Sequence, residues 1–309
     1  MKAIIYICWS VLVILTVSNL FDEVWWVLDL LASFRLQVGI LLIACSFILS
    51  YYKKYVLTLF GIVMGLLLIH SVIDVTQYGY QQGVPVDQSI KILSINLLSS
   101  NYKHDLTQTY IENSDSDIIV LMEYTPLWDQ NLSAAFIKEY PYQIKQIRTH
   151  NFGIALWSKH PIVSHQILDF TDRDFPMIEA ELAIGEETLT VASIHLENPV
   201  GRENMTVRNH QVDQLIQRYK GYKNLVLIGV YNMTPYSYDY TRLRDLLGLV
   251  ETRCSIAPTF PVYFLPLRIP IDHCLVSQTI EHSCLMLGPD IGSDHFPIEI
   301  VLSLHSQSK

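Results

Sequence analysis

Hydrophobic residues follow two different patterns along the 309-residue chain. Three long apolar segments, at roughly 3–20, 36–50 and 55–73, occupy its first 75 residues. Each is near the ~17–25 residues that a membrane-spanning helix needs, the second only when its aromatic flanks are included. A cleaved signal peptide would explain the first segment alone. The pattern therefore predicts a membrane anchor of three transmembrane helices at 1–75.

Beyond the anchor, short apolar runs alternate with amphipathic segments. A polar, turn-rich stretch at 76–89 with Gly79, Gly83 and Pro85 predicts a linker. Strands are predicted at 90–95, 118–122, 152–158, 178–184, 189–195, 225–228, 271–276 and 298–302, and helices at 106–113, 127–139, 202–219 and 238–247. Mixed strands and helices of this number predict one α/β domain at 90–305.

The basic residues of the anchor predict its orientation. Lys2 precedes the first apolar segment, and Lys53 and Lys54 lie between the second and third. The loop at 21–35 instead carries acidic residues and a pair of tryptophans. Because cytoplasmic loops collect Lys and Arg, we expect the N-terminus inside and the C-terminal domain outside.

Composition adds an acidic balance. The chain is 50% hydrophobic with a mean hydropathy of +0.26 and a net charge of −9. Residues 87–309 hold 17 Lys and Arg against 26 Asp and Glu, so 17 − 26 = −9 lies in the C-terminal domain. Binding to a nucleic-acid backbone relies on clustered Lys and Arg, so this charge disfavours nucleic acid as a partner without excluding a nuclease.

Three of the five cysteines lie outside the apolar segments: Cys254, Cys274 and Cys284. Their spacing is not that of a metal site. An oxidising compartment would permit one disulfide, and Cys254–Cys284 is the favoured pair because Cys274 lies within a predicted strand. Three reduced cysteines are the equal alternative.

Several predicted strands end in a residue with catalytic chemistry. These residues are Asn96, Glu123, His195, Asn232, the pair Asp272-His273 and the pair Asp294-His295. A single Glu, Asn or His at a strand end is usually a solvated, capping or structural residue. Six such endings in one domain indicate instead a shared polar site.

In order and context these residues resemble the endonuclease/exonuclease/phosphatase (DNase I-like) superfamily. The segments Pro-Thr-Phe-Pro at 258–261, Ile-Asp-His at 271–273 and Ser-Asp-His-Phe-Pro at 293–297 are similar to its PTW, IDH and SDHxP motifs. The segment at 120–126 resembles its VLQExTP motif, and the anchor resembles that of membrane-anchored bacterial members. The resemblance implies two packed mixed β-sheets flanked by helices, a four-layer sandwich.

The resemblance also implies roles. Asn96, Glu123 and Asp294 would supply oxygen ligands to Mg²⁺, with Mn²⁺ as the alternative ion. His295 would act as base or electrostatic clamp, with Asp272 fixing its tautomer. His195 would protonate the leaving group, and Asn232 would donate hydrogen bonds to the phosphate or the attacking water.

One position departs from the family pattern. The segment 229–232 reads Gly-Val-Tyr-Asn where relatives read GDFN or GDYN, so Val230 replaces a carboxylate that handles the attacking water. Three explanations stay open: a slow or altered hydrolase in which Glu197, Asp239 or a second metal-bound water substitutes, a non-catalytic binder of phosphorylated ligands, or an incidental substitution in an active enzyme.

The sequence therefore predicts a membrane-anchored, metal-dependent phosphoesterase that hydrolyses phosphodiesters or phosphomonoesters and is impaired by Val230. The alternatives are an inactive family member that binds a phosphorylated ligand such as a lipid headgroup, and a nuclease. The lipid bilayer is the expected partner of the anchor. We expect the bacterial inner or plasma membrane, with the C-terminal domain periplasmic or extracellular.

Overall fold

A computed structural model of the chain describes residues 2–18, 21, 23–76 and 89–304. The predicted linker at 76–89 falls almost wholly outside the described residues. Four helices form the N-terminal part: α1 (Lys2–Ser18), α2 (Trp26–Ala32), α3 (Arg35–Tyr51) and α4 (Tyr55–Thr76).

The number of membrane-spanning helices differs from the prediction. Among the described residues, one helical stretch is long and apolar enough by itself to cross a membrane, Tyr55–Asp74 in α4. Helices α2 and α3 would meet the same test only as one span bent by 70°. Helix α1 has 17 residues, about 26 Å at 1.5 Å per residue, which is less than the ~30 Å hydrocarbon thickness. The prediction of three such helices is therefore wrong in number.

Small residues bring α3 and α4 together as an antiparallel pair. A Cβ atom on Gly39 would meet the Gly65 carbonyl oxygen at 2.9 Å, and one on Gly61 would meet the Ser46 hydroxyl at 2.1 Å. The Trp9 indole of α1 donates to the same hydroxyl at 3.1 Å. Glycine therefore permits the close approach of the two backbones.

The rest of the described chain forms one seven-stranded sheet and one six-stranded sheet, with helices outside them. The first sheet contains β1 (Ser89–Asn96), β2 (Ile118–Met122), β3 (Tyr142–Gln146), β4 (Ile154–Ser158), β11 (Ile280–His282), β12 (Met286–Leu287) and β13 (Ile298–Leu304). The second contains β5 (Ile162–Leu168), β6 (Met177–Ile184), β7 (Glu187–His195), β8 (Leu225–Val230), β9 (Leu249–Glu251) and β10 (Asp272–Ser277). The helices are α5 (His104–Ser114), α6 (Pro126–Phe136), α7 (Arg202–Tyr219) and α8 (Tyr238–Leu247).

Strand order places the site-forming strands inside each sheet. The first sheet runs β11-β13-β1-β2-β4-β3, with β12 also paired to β13, and the second runs β5-β6-β7-β8-β10-β9. The pairs β1–β2 and β7–β8 are parallel, whereas the other pairs are antiparallel. Polar residues at the carboxyl ends of paired parallel strands therefore share one edge of their sheet.

Three hydrophobic clusters hold these layers together. The largest lies between the sheets and contains inward-facing residues such as Ile92, Val120 and Ile228. A second packs the outer face of the second sheet on α7 and α8, and a third packs the outer face of the first sheet on α5 and α6. This four-layer arrangement confirms the predicted α/β class of two packed mixed sheets flanked by helices.

A disulfide joins Cys254 to Cys284, with 30 residues of sequence separation. Cys274 is buried in β10 and unpaired. The favoured cysteine pairing is thus present in the structure, and the alternative of three reduced cysteines is not.

Candidate active site

The second sheet aligns three positions of the site on neighbouring strands. His195 at the end of β7 pairs with Val230 in the parallel ladder, and Val230 pairs with Asp272 in the antiparallel ladder. Side chains at paired positions lie on the same side of a sheet, about 4.8 Å apart across the strands. Val230 therefore lies between His195 and Asp272.

The first sheet contributes an acidic group. Asn96 at the end of β1 donates through Nδ2 to Glu123 Oε1 at 3.2 Å, and the Ser99 amide donates to Glu123 Oε2 at 2.7 Å. The Leu98 amide donates to Asn96 Oδ1 at 2.9 Å. Glu123 adopts a left-handed backbone with φ of 58° immediately after β2. In this arrangement Asn96 orients the Glu123 carboxylate.

Asp294 completes this acidic region. Its Oδ1 atom is buried and has no hydrogen-bond partner. Burial and the neighbouring Glu123 carboxylate raise the pKa of Asp294 above its ordinary value, although His295 opposes them. Among the described residues no group of three His, Cys, Asp or Glu side chains could hold a metal ion. Two carboxylates, one with a free buried oxygen, nevertheless fit Mg²⁺, which keeps several waters and uses one or two protein carboxylates.

A buried histidine–carboxylate pair lies next to Asp294. His295 Nδ1 is 2.8 Å from Asp272 Oδ2. The Thr259 hydroxyl accepts from the amides of Ile271 and Asp272 at 3.1 and 3.2 Å, which fixes the start of β10. Burial alone would lower the pKa of His295, but the Asp272 carboxylate outweighs it, so that this pKa lies above its usual value.

His195 has the opposite electrostatic character. Burial, reinforced by the nearby His295, lowers the pKa of His195 to about 3. Its Nδ1 atom is buried without a hydrogen-bond partner. Phe152 packs on its ring at 4.8 Å and stacks in turn on Phe175 at 3.6 Å. His195 is therefore a neutral imidazole with a free ring nitrogen, set opposite a histidine that favours the charged form.

Backbone constraints shape the segment 229–232. Gly229 has φ of 137°, and a Cβ atom there would lie 2.1 Å from the Ile194 carbonyl oxygen, so only glycine fits. Asn232 is left-handed with φ of 52°, and its Nδ2 donates to the Leu196 carbonyl at 2.8 Å. The turn thus binds the chain after β8 to the chain after β7, and it holds Asn232 at the site.

The predicted site residues line one pocket, with two exceptions. Asp272 lies behind His295, to which it is hydrogen-bonded, and Asp294 is the residue next to His295 in the chain. The pocket has a volume of 290 Å³. Its lining includes Asn96, Glu123, His195, Val230, Asn232 and His295 among the residues predicted from the sequence. Half of its lining is apolar, and the side chain of Val230 is only 1% exposed. A larger groove of 970 Å³ lies between α7 and residues 169–173 and contains none of these residues.

Residues that the sequence analysis did not select also line the pocket. They come from two loops of the domain (Asn151, Phe152, Asn198, Pro199 and Val200) and from the N-terminal helices (Leu30 and Ser33). Asn151 precedes the strand predicted at 152–158 and Phe152 begins it, so the start of a strand was their only signal. Leu30 and Ser33 had no such signal, because their contact with the domain spans more than 60 residues of chain.

Hydrogen bonds of three residues, Asp29, Ser33 and Gln37, hold the α2–α3 region against the domain. Asp29 accepts from Arg208 on α7 at 2.6 Å in a buried ion pair, and Arg208 also reaches Asp239 at 3.3 Å. The Tyr236 hydroxyl donates to the Ser33 carbonyl at 2.8 Å. Gln37 Nε2 donates to the Arg268 carbonyl at 3.0 Å.

Two carboxylates suggested as substitutes for the missing one are engaged elsewhere. Glu197 pairs with Arg173 at 3.2 Å, and its Oε1 accepts from the Asn198 amide. Asp239 pairs with Arg208 and Arg242. Neither residue lines the pocket. The geometry of the site therefore gives no support to their proposed replacement of the carboxylate at position 230.

The family assignment follows from the chain's own sequence. The model of the Endonuclease/Exonuclease/phosphatase family matches residues 93–295, which is more than half of the chain. The chain belongs to this family. The matched segment begins in β1 and ends at His295, so it contains the residues of the pocket other than Leu30 and Ser33.

Solved structures of other proteins share the fold of this chain. Humanized TDP2 from D. rerio is 16% identical, with a TM-score of 0.57, covering 70% of this chain and 99% of that one. Sphingomyelinase C from Streptomyces griseocarneus is 17% identical, with a TM-score of 0.52, covering 72% and 100%. An endonuclease/exonuclease/phosphatase from Beutenbergia cavernae is 14% identical, with a TM-score of 0.57, covering 71% and 72%. A search of curated proteins found no match. At these identities the likeness extends to the fold alone.

Proposed function

We propose that this family member is a membrane-anchored, divalent-metal-dependent phosphoester hydrolase whose turnover is limited by Val230. The observation that carries the proposal is the buried His295–Asp272 pair, at 2.8 Å, in a pocket that also contains Glu123 and a neutral His195. A carboxylate-held histidine next to an acidic pair is suited to stabilising the negative charge that builds on a transferred phosphoryl group.

Each side chain has a distinct role in this proposal. His295, held by Asp272, provides positive charge and a donor for the phosphoryl oxygens. His195 contributes a neutral ring at the leaving-group side, and Asn232 orients the phosphate or the attacking water. Because the side chain of Val230 cannot accept a proton, the attacking water lacks a protein base at this position.

Glu123 and Asp294 would hold the Mg²⁺ or Mn²⁺ ion, with Asn96 orienting Glu123. The free, buried Asp294 Oδ1 is the feature of the structure that supports a cation at this place. When bound, the ion supplies positive charge that polarises the phosphoryl oxygen. The likeness to TDP2 and to sphingomyelinase C, two of the structures similar to this chain, favours a phosphodiester as the substrate class.

The test uses the purified full-length chain with bis(p-nitrophenyl) phosphate and Mg²⁺ or Mn²⁺. We expect slow metal-dependent hydrolysis that His295→Ala lowers by about 10²–10⁴, and calorimetric Mn²⁺ binding that Asp294→Ala removes. His210→Ala, a histidine on α7 outside the pocket, is the matched control. Absence of both Mn²⁺ binding and hydrolysis would refute the proposal.

A second candidate function is the binding of a phosphorylated ligand without turnover. Val230 favours it, since this side chain fills the position between His195 and Asp272 and is 1% exposed. This alternative predicts saturable binding of a phosphodiester without product formation, and binding that His295→Ala leaves unchanged. A nuclease is the less favoured reading because of the acidic charge, although one TDP2 relative was solved with a single-strand DNA product.

We further propose that α4 anchors the chain in a bacterial inner or plasma membrane with the catalytic domain outside. Lys53 and Lys54 lie at the end of α4 opposite to the one that leads to the domain, which favours a cytoplasmic position for them. The contacts of Asp29, Ser33 and Gln37 with the domain support a common side for the α2–α3 junction and the domain. Cysteine accessibility to a membrane-impermeant reagent at either end of α4 tests this orientation.

A further inference from the structure

One loop of the catalytic domain exposes a contiguous apolar surface. We call residues 262–267 the apolar loop; it contains the short 3₁₀ helix Leu265–Leu267. Tyr263, Phe264, Leu265 and Leu267 are 78%, 48%, 69% and 45% exposed. In the described part of the domain, no other stretch of five residues exposes more than two large hydrophobic side chains. Scattered exposed hydrophobic residues are ordinary, whereas a contiguous group marks an interaction surface.

The base of the apolar loop is firmly built into the domain. The Val262 amide donates to the Asp294 carbonyl at 2.9 Å. The Arg268 guanidinium donates to the carbonyls of Pro261 and Val262 and lies over the Phe296 ring at 4.8 Å. The exposed side chains are therefore held outward by fixed backbone contacts.

The apolar loop also starts and ends at the rim of the catalytic pocket. Phe260 and Ile269 flank it and form an isolated antiparallel bridge. Both residues line the pocket. Whatever contacts the apolar loop is consequently brought to the entrance of the catalytic site.

The position of the apolar loop relative to the N-terminal helices indicates what this loop contacts. Gln37 in the first turn of α3 donates to the Arg268 carbonyl, directly after the apolar loop. Because α3 and α4 are antiparallel, with Gly39 beside Gly65, the start of α3 lies level with the C-terminal part of α4. The apolar loop therefore lies at the end of the membrane-spanning stretch from which the chain continues into the domain.

Aromatic residues lie at the same end of the α3–α4 pair. Trp25 and Trp26 form an edge-to-face pair at 6.4 Å at the start of α2, and Trp25 is more than half exposed. Tryptophan is enriched at the membrane–water interface because its ring is apolar and its N–H is polar. Two separate segments with interfacial chemistry thus lie at one end of the helical pair.

We propose that the apolar loop inserts into the bilayer that holds α4, so that the catalytic pocket takes phosphoesters carried on membrane lipids rather than dissolved ones. This inference rests on the proposed function for its substrate class and on the proposed anchoring of α4 for its bilayer. The half-apolar pocket lining, which includes Leu30 and Phe260, suits the carbon chain next to a lipid phosphate.

Insertion is tested without any measurement of activity. The full-length chain is reconstituted in phosphatidylcholine nanodiscs after Cys8→Ser and Cys45→Ser, and a fluorescent nitrobenzoxadiazole label is attached at Leu265→Cys. Leu246→Cys, at an exposed leucine of α8, is the matched control. We expect doxyl-labelled lipids to quench the label at 265 at least threefold more than that at 246, and iodide to show the reverse order. Equal quenching by iodide at both positions overturns the inference.

Substrate class is tested in the same nanodiscs. We expect Phe264→Ser with Leu265→Ser to raise the KM for phosphatidylcholine about tenfold and to leave the hydrolysis of bis(p-nitrophenyl) phosphate unchanged, while Leu246→Ser affects neither. A parallel loss on both substrates would overturn the lipid preference. If the unmodified chain hydrolyses neither substrate, the proposed function fails by itself, and the label at 265 still decides insertion.

Discussion

Replacing Val230 by aspartate tests which step the pocket lacks. Position 230 is paired with His195 on one side and with Asp272 on the other. A carboxylate there would lie about 4.8 Å from each strand neighbour, within reach of a water at the phosphoryl group. A correctly placed base contributes about 10²–10⁴ in rate, or about 3–5 kcal/mol of activation free energy. We therefore expect Val230→Asp to raise kcat with Mg²⁺ by this factor.

The same change carries a stability cost. Removing the buried valine forfeits about 1.5–3 kcal/mol of apolar burial, and burying a carboxyl group beside Asp272 adds a desolvation and repulsion cost of similar size. We expect the free energy of unfolding to fall by about 3–5 kcal/mol. Urea unfolding, followed by tryptophan fluorescence in detergent, measures this fall.

Val230→Asn is the matched control, because it has the size of aspartate without the negative charge. Asparagine should reproduce part of the stability loss and none of the rate gain, as measured with bis(p-nitrophenyl) phosphate under single-turnover conditions. If the folded aspartate variant were no faster than the valine and asparagine forms, the missing carboxylate would not be the limiting defect. The binding function would then be favoured.

Three further predictions concern stability and docking. Cys284→Ala opens the disulfide loop and should lower the free energy of unfolding by about 3–4 kcal/mol for a 30-residue separation, read from non-reducing urea curves. Burial alone would raise the pKa of Glu251, but Arg253 outweighs it and lowers this pKa from its ordinary 4.5 to about 2. The lowered pKa contributes ~3 kcal/mol to the free energy of unfolding; this contribution is complete above pH 4.5 and is lost as pH falls toward 2. Glu251→Gln should therefore destabilise the protein at pH 7 and progressively less between pH 4.5 and 3. Asp29→Ala should raise the KM for phosphatidylcholine in nanodiscs about tenfold with kcat preserved, whereas Glu23→Ala on the same segment should leave both unchanged.

The interior strands and the pocket's strand-end residues could be predicted from sequence because their signal is local. An apolar run followed by Asn96, Glu123 or His195 marks a buried strand and its carboxyl end without knowledge of the partners. Edge strands lack this signal. Strand β5 is mostly exposed on both faces, so its residues do not alternate.

The docking of the N-terminal helices could not be predicted for a different reason. Asp29 and Arg208 are 179 residues apart, and an acidic residue between two apolar segments is expected in any loop. The number of spanning helices was overestimated because two of the three apolar segments form helices, α1 and α3, of only 17 residues each. Local composition reports which residues are apolar, whereas the exact ends of a helix depend on its tertiary contacts.

The attachment of α2 to the domain has a consequence for how strong that contact must be. Residues 29–37 and the C-terminal domain belong to one chain, and 12 residues, 77–88, join α4 to that domain. Docking is therefore intramolecular, at an effective concentration on the order of millimolar for a short connection. Three polar contacts then suffice to keep Leu30 and Ser33 in the pocket wall. The same two pieces made as separate proteins would need comparable concentrations to rebuild that wall, and a fragment that begins at residue 89 would lack Leu30 and Ser33 from its pocket.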